Sequence, residues 1–146
     1  MSDNYSLIIK NGSCYIEGKF QNIDLAISGN KIKKIGKIDL NSSKVIDASG
    51  KIVLPGIIDT QVHFREPGAN DAENLESGSR AAVAGGVTSV FEMPNTNPPT
   101  STFKEFNNKL MSAKNRMFCN YAFYFGATPD NMKELASVNT LEGCCG

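Results

Sequence analysis

Apolar residues follow two rhythms along this chain. Up to about Lys51 they fall in short alternating stretches separated by turn residues. Leu7-Ile8-Ile9 precedes Asn11-Gly12, a pair that predicts a hairpin turn. Ile23-Asp24-Leu25-Ala26-Ile27 alternates, Gly29-Asn30 turns the chain, and Lys31-Ile32-Lys33-Lys34-Ile35 follows. Val45-Ile46 and Ile52-Val53-Leu54 continue the strand character around Gly50. Alternation of this kind predicts a sheet with one wet face. Residues 1–54 therefore read as a β-rich partial sandwich, too short to be a complete one.

From Pro55 the rhythm becomes strand, helix, strand, helix. The run Ile52 to Ile58 predicts a buried strand that leads into a polar loop. Asn70-Asp71-Ala72-Glu73 predicts a helix start, with Asn70 as N-cap and Glu73 reaching back. Leu75, Ser79 and Ala82 fall on one face of that helix, and Gly85-Gly86 ends it. Val87 to Met93 reads as a second strand and Pro94 to Pro99 as a loop. Thr102 to Glu105 forms a capping box. The helix it opens carries Phe103, Phe106, Leu110 and Ala113 at helical spacing, with Lys109, Lys114 and Arg116 toward its negative end. Tyr121 to Phe125 reads as a third strand, and Met132 to Ala136 lies in a third helix. Strands alternating with helices predict an α/β fold with a parallel sheet. Three such units do not close a (β/α)₈ barrel, which takes about 250 residues. The chain therefore reads as the N-terminal portion of a longer protein, with residues 55–146 as the first part of a TIM barrel.

Charge narrows the partners. The 146 residues carry 15 basic and 15 acidic side chains, so no field of one sign recruits nucleic acid or an anionic membrane. No apolar run approaches the roughly 20 residues that span a bilayer. The opening Met1-Ser2-Asp3-Asn4-Tyr5 lacks a signal pattern, which predicts a cytoplasmic location. Cys14, Cys119, Cys144 and Cys145 show no Cys-x-x-Cys spacing and predict free thiols.

The candidate chemistry lies in Asp59-Thr60-Gln61-Val62-His63-Phe64-Arg65-Glu66-Pro67-Gly68, where a strand runs into a loop. Alternate strand positions share a face, so residues 61 and 63 can reach one ion together. A neutral imidazole at His63 suits Zn²⁺, whereas the amide oxygen of Gln61 suits harder cations. Asp59 sits one step further along the same face. His63 also fits a plain hydrogen-bonded histidine at a strand end. Arg65 offers a planar fork for a carboxylate, or a surface partner for Glu66. Met93-Pro94-Asn95-Thr96-Asn97-Pro98-Pro99 also reads as a rigid turn before the next helix.

These segments, in this order with Ser77 to Thr88, resemble the cyclic amidohydrolases, and the dihydroorotases among them. The family pattern is His-x-His on the first barrel strand followed by Arg-Glu-Pro-Gly. Here the second histidine is His63 and Gln61 stands in place of the first. The resemblance implies one or two Zn²⁺ ions, with His63 a ligand, Gln61 a weak or lost one, and Asp59 supporting from behind. It implies that Arg65 and Asn95 hold the carboxylate of a small substrate, as in interconversion of dihydroorotate and N-carbamoyl-aspartate. The remaining ligands and the catalytic carboxylate would lie on later strands, so no catalytic residue falls within this chain, which is expected to be inactive alone. A homo-oligomer and assembly with aspartate transcarbamoylase are further implications. An allantoinase or hydantoinase is a second reading, and a non-catalytic scaffold subunit a third, which Gln61 favours.

Overall fold

The computed structural model describes residues 5–39 and 44–146, and the chain divides into two compact units, Met1–Pro55 and Gly56–Gly146.

In the first unit β1 (Leu7–Ile16), β2 (Lys19–Ser28) and β3 (Lys31–Gly36) run antiparallel in succession. Strands β4 (Val45–Asp47) and β5 (Ile52–Val53) pair with β1 in parallel. The result is a five-stranded sheet ordered β3-β2-β1-β4, with β5 also on β1. Tyr5, Ile8, Ala26 and Ile38 form its buried cluster. Asn11-Gly12 does not make the expected hairpin turn; that turn falls at Glu17-Gly18, and Asn11-Gly12 is a bulge inside β1. The reason is local pairing. Asn11 adopts a left-handed φ of 62°, its N–H donates to Asp24 Oδ1 and its Nδ2 donates to Asp47 Oδ1, each at 3.0 Å. Glycine is needed next to it, because a Cβ on Gly12 would lie 2.6 Å from Val53 Cγ2.

In the second unit β6 (Ile57–Val62), β7 (Val87–Glu92) and β8 (Asn120–Phe123) form a parallel sheet in that order. Helix α1 (Leu75–Ala84) joins β6 to β7, and α2 (Phe103–Ala113) joins β7 to β8. A short α3 (Met132–Leu135) and a 3-10 turn at Val138–Thr140 follow. Phe64, Leu75, Val90, Phe106, Ala113, Phe123 and Phe125 form the core. Phe106 meets Phe123 edge to face, with centroids 6.4 Å apart, the geometry that aromatic quadrupoles favour.

Three local expectations are corrected here. The run Ile52 to Ile58 is two strands in two units, broken at Pro55-Gly56, where proline offers no ladder N–H. It is not buried either: Ile57 and Ile58 are 53% and 58% exposed, on a strand that among the described residues pairs with β7 alone. The N-cap of α1 is Asn74, not Asn70; Asn74 Oδ1 accepts from the Ser77 N–H at 2.9 Å, and Ser77 Oγ accepts in return from the Asn74 N–H. Asn70 instead accepts from the Gly68 N–H at 3.2 Å. Gly85 ends α1 as predicted. Of the capping box expected at α2 one half forms: Thr102 accepts from the Glu105 N–H, while the Glu105 side chain accepts from Asn108 Nδ2 at 3.4 Å. The four cysteines are unpaired; burial and the adjacent Cys144 push the Cys145 thiol up to about 11.

Candidate active site

Strands β6 and β7 end level with one another. Val62 pairs with Glu92, and the Met93 N–H donates to the Val62 carbonyl at 3.0 Å. The residues beyond both ends therefore emerge side by side. His63 and Asn95 meet there, with His63 Nδ1 at 2.9 Å from Asn95 Oδ1. An amide oxygen only accepts, so with Asn95 Oδ1 facing it Nδ1 carries the proton, and in the neutral ring Nε2 keeps its lone pair. Asp59 turns its carboxylate to its own strand and accepts from the Gln61 N–H at 3.0 Å. That bond lies where the β6–β7 register shifts, between Asp59 and Val62. Gln61 is exposed, and its side-chain amide makes no hydrogen bond among the described residues.

Arg65, exposed and left-handed with φ 60°, lines a cavity of about 200 Å³ with Asn95, Thr96, Asn97, Pro67 and Gly68. The structure thus brings Arg65 and Asn95 to one hollow. The two loops interlock beneath it: the Asn97 N–H donates to the Pro67 carbonyl at 3.0 Å. At Gly68, φ is 113° and a Cβ would stand 2.6 Å from the Asn97 carbonyl oxygen. Only glycine allows that approach.

Three supports fix this mouth, and pattern reading assigned none of them. Arg65 does not pair with Glu66. Arg116, 50 residues away in sequence, clamps Glu66 through Nη1 and Nη2 of its guanidinium, at 2.8 and 3.1 Å. Glu66 also accepts from the Leu75 N–H at 2.9 Å, at the first turn of α1. Burial alone would raise the Glu66 carboxyl; the Arg116 and Leu75 hydrogen bonds and the Arg116 and Lys109 charges outweigh it and hold the group below its ordinary value. The second support is Phe64, next to His63. A Cβ on Gly78 would lie 2.4 Å from its ring, so α1 packs directly on it.

The third support is a buried ion pair between Glu92, at the end of β7, and Lys109 of α2. Burial pushes the Glu92 carboxyl up and the Lys109 ammonium down, and each charge pulls the other back. The expectation that Lys109 serves the negative end of α2 is therefore corrected, since Glu92 draws it off, whereas Arg116 does both: besides clamping Glu66 it donates to the Ser112 carbonyl in the last turn of α2 at 2.9 Å. A sequence signal existed for this pair. Glu92 interrupts an apolar strand, and Lys109 falls between Phe106, Leu110 and Ala113 on the apolar face.

The donor set fits one ligand's share of a zinc site. His63 Nε2 is left as a basic nitrogen by the hydrogen bond on Nδ1, the arrangement that suits a metal-bound imidazole. Among the described residues no group of three or more His, Cys, Asp or Glu side chains converges to hold an ion.

Parallel strands alternating with helices, with polar side chains gathered beyond the strand ends, define the second unit as an α/β fold of the kind that carries its chemistry at one mouth. The chain belongs to the amidohydrolase family, which matches residues 52–142. It is 47% identical over 114 residues to a dihydroorotase of Clostridioides difficile, covering 75% of this chain and 27% of that protein. It is 40% identical over 134 residues to an allantoinase of Desulfitobacterium hafniense, covering 90% of this chain and 30% of that one. The L-hydantoinase (dihydropyrimidinase) of Arthrobacter aurescens superposes with a TM-score of 0.85 at 30% identity, over 93% of this chain and 31% of its own. The chain thus spans under a third of the length of these relatives. No helix among the described residues is long and apolar enough to cross a membrane.

Proposed function

We propose that this chain is part of a cyclic amidohydrolase that breaks and forms a ring amide C–N bond, with dihydroorotate and N-carbamoyl-aspartate as its substrate pair. The observation that carries the reading is the meeting of His63 with Asn95 beside the hollow that Arg65 lines. In this reading residues 55–146 are the first three βα units of a (β/α)₈ barrel, and residues 1–54 part of a sandwich.

Each residue then has a task. Arg65 takes the substrate carboxylate in a two-pronged pair. Asn95 works in two directions: its Oδ1 holds the His63 proton, and its Nδ2 remains to donate to the same carboxylate. Asp59 braces the backbone of β6, and Gln61 faces solvent near His63 as a poor partner for a soft cation. A Zn²⁺ ion held in part by His63 would polarise the ring carbonyl and supply activated water.

The allantoinase relative keeps a second reading open, since it matches more of the chain. Arg65 and Asn95 favour the first, because a substrate carboxylate accounts for both. The test is Arg65→Ala in the full-length enzyme. A carboxylate held by a charged fork is worth roughly 1.5–3 kcal/mol, so KM for dihydroorotate rises on the order of tenfold to a hundredfold, with zinc content unchanged. An unaltered KM removes the substrate assignment.

A further inference from the structure

Lys109 and Glu92 are paired with only 1% of each side chain exposed. Burying such a pair costs desolvation that two apolar side chains of similar size would not incur, and replacement by them is often neutral or stabilising. Stability alone therefore gives no account of the pair. Its position does. Lys109 Nζ donates to the Met93 carbonyl at 3.1 Å and to Thr100 Oγ1 at 3.3 Å. Those acceptors stand at the two ends of the loop that carries Asn95, and the Thr100 N–H closes the same loop onto the Pro94 carbonyl at 2.9 Å. Glu92 lies in register with Val62, the residue before His63. One buried pair thus reaches both sides of the His63–Asn95 contact.

We propose that Lys109, held by Glu92, is a positioning residue: it braces the Asn95 loop so that Asn95 Oδ1 keeps the proton on His63 Nδ1 and leaves Nε2 as the free electron-pair donor. The meaning of this brace for catalysis rests on the function proposed above. The tautomer itself is measurable without any activity.

His63 is the single histidine of the chain, so ¹⁵N-histidine labelling gives one pair of ring signals. In alkaline buffer the wild-type chain shows Nδ1 protonated. In Lys109→Met/Glu92→Gln the Nε2–H form grows several-fold at its expense, with the helix signature in circular dichroism kept. Val90→Ala, a cavity in the same strand where Val90 is fully buried, lowers Tm and leaves the tautomer ratio alone. A folded double variant with the wild-type ratio overturns the inference, as does a Val90→Ala chain whose ratio moves equally. If the double variant does not fold, Thr100→Val takes its place: it removes one Lys109 acceptor at nearly constant volume, and the same two outcomes decide. A wild-type chain with Nε2 protonated overturns the inference, because Nδ1 would then accept from the Asn95 Nδ2–H and Oδ1 would hold no His63 proton.

Discussion

At the scale of the residue, the proposed zinc site turns on Gln61. His63 has its Nδ1 proton fixed by Asn95 and offers a basic Nε2, but its strand neighbour supplies an amide where a second imidazole would bind far better. Gln61→His in the full-length enzyme is expected to raise zinc per chain, read by metal analysis after dialysis. Unchanged zinc would show that position 61 turns away from the ion. The motif residues were legible because strand alternation and chemical type suffice to nominate them. Placing Arg65 and Asn95 on one hollow took the structure, since their loops are joined by contacts far apart in sequence, the Asn97 N–H on the Pro67 carbonyl and Gly68 against Asn97.

At the scale of the element, the loop after β6 is locked from two sides. Helix α1 sits on the Phe64 ring through Gly78, where a Cβ would come within 2.4 Å. Gly78→Ala should therefore cost about 1–3 kcal/mol by overpacking, read by denaturant unfolding, and should disturb His63 one residue away. A stability equal to wild type would mean that the helix shifts freely. The other lock is Glu66 under Arg116 and the Leu75 N–H. Because the folded Glu66 carboxyl is held below its ordinary value, its contribution is complete above the unfolded value of roughly 4.3 and is lost as pH falls through the lower, folded one. Glu66→Gln should cost about 1–2 kcal/mol at pH 7, allowing for solvent around the half-exposed Arg116. It should also flatten the fall of Tm below about pH 4. An equally steep acid transition in the variant would assign that transition to other carboxylates. Helix ends with local caps, such as Thr102 and Gly85, were readable from sequence. Asn70 misled, because several polar residues precede α1 and only packing selects Asn74. The Glu66–Arg116 clamp spans 50 residues and leaves no local pattern to read.

At the scale of the molecule, the alternation of strands and helices made the α/β class legible, and the ordered motifs pointed to the family that residues 52–142 match. Exposure was the part that pattern could not supply. The apolar run around Ile57 and Ile58 resembles a buried strand, yet both side chains are more than half exposed in this chain. With one imidazole and no group of three ligands among the described residues, the 146-residue chain alone is expected to lose zinc on dialysis and to hydrolyse no cyclic amide. Stoichiometric, retained zinc would reveal a site that this geometry does not contain. The most direct measurement is zinc content together with hydrolysis of dihydroorotate, allantoin and hydantoin by the full-length enzyme. Bound zinc is expected, with turnover of dihydroorotate well above that of the two rings without a carboxylate. Zinc-loaded, folded enzyme that prefers allantoin or hydantoin, or that acts on none of the three, would contradict that expectation.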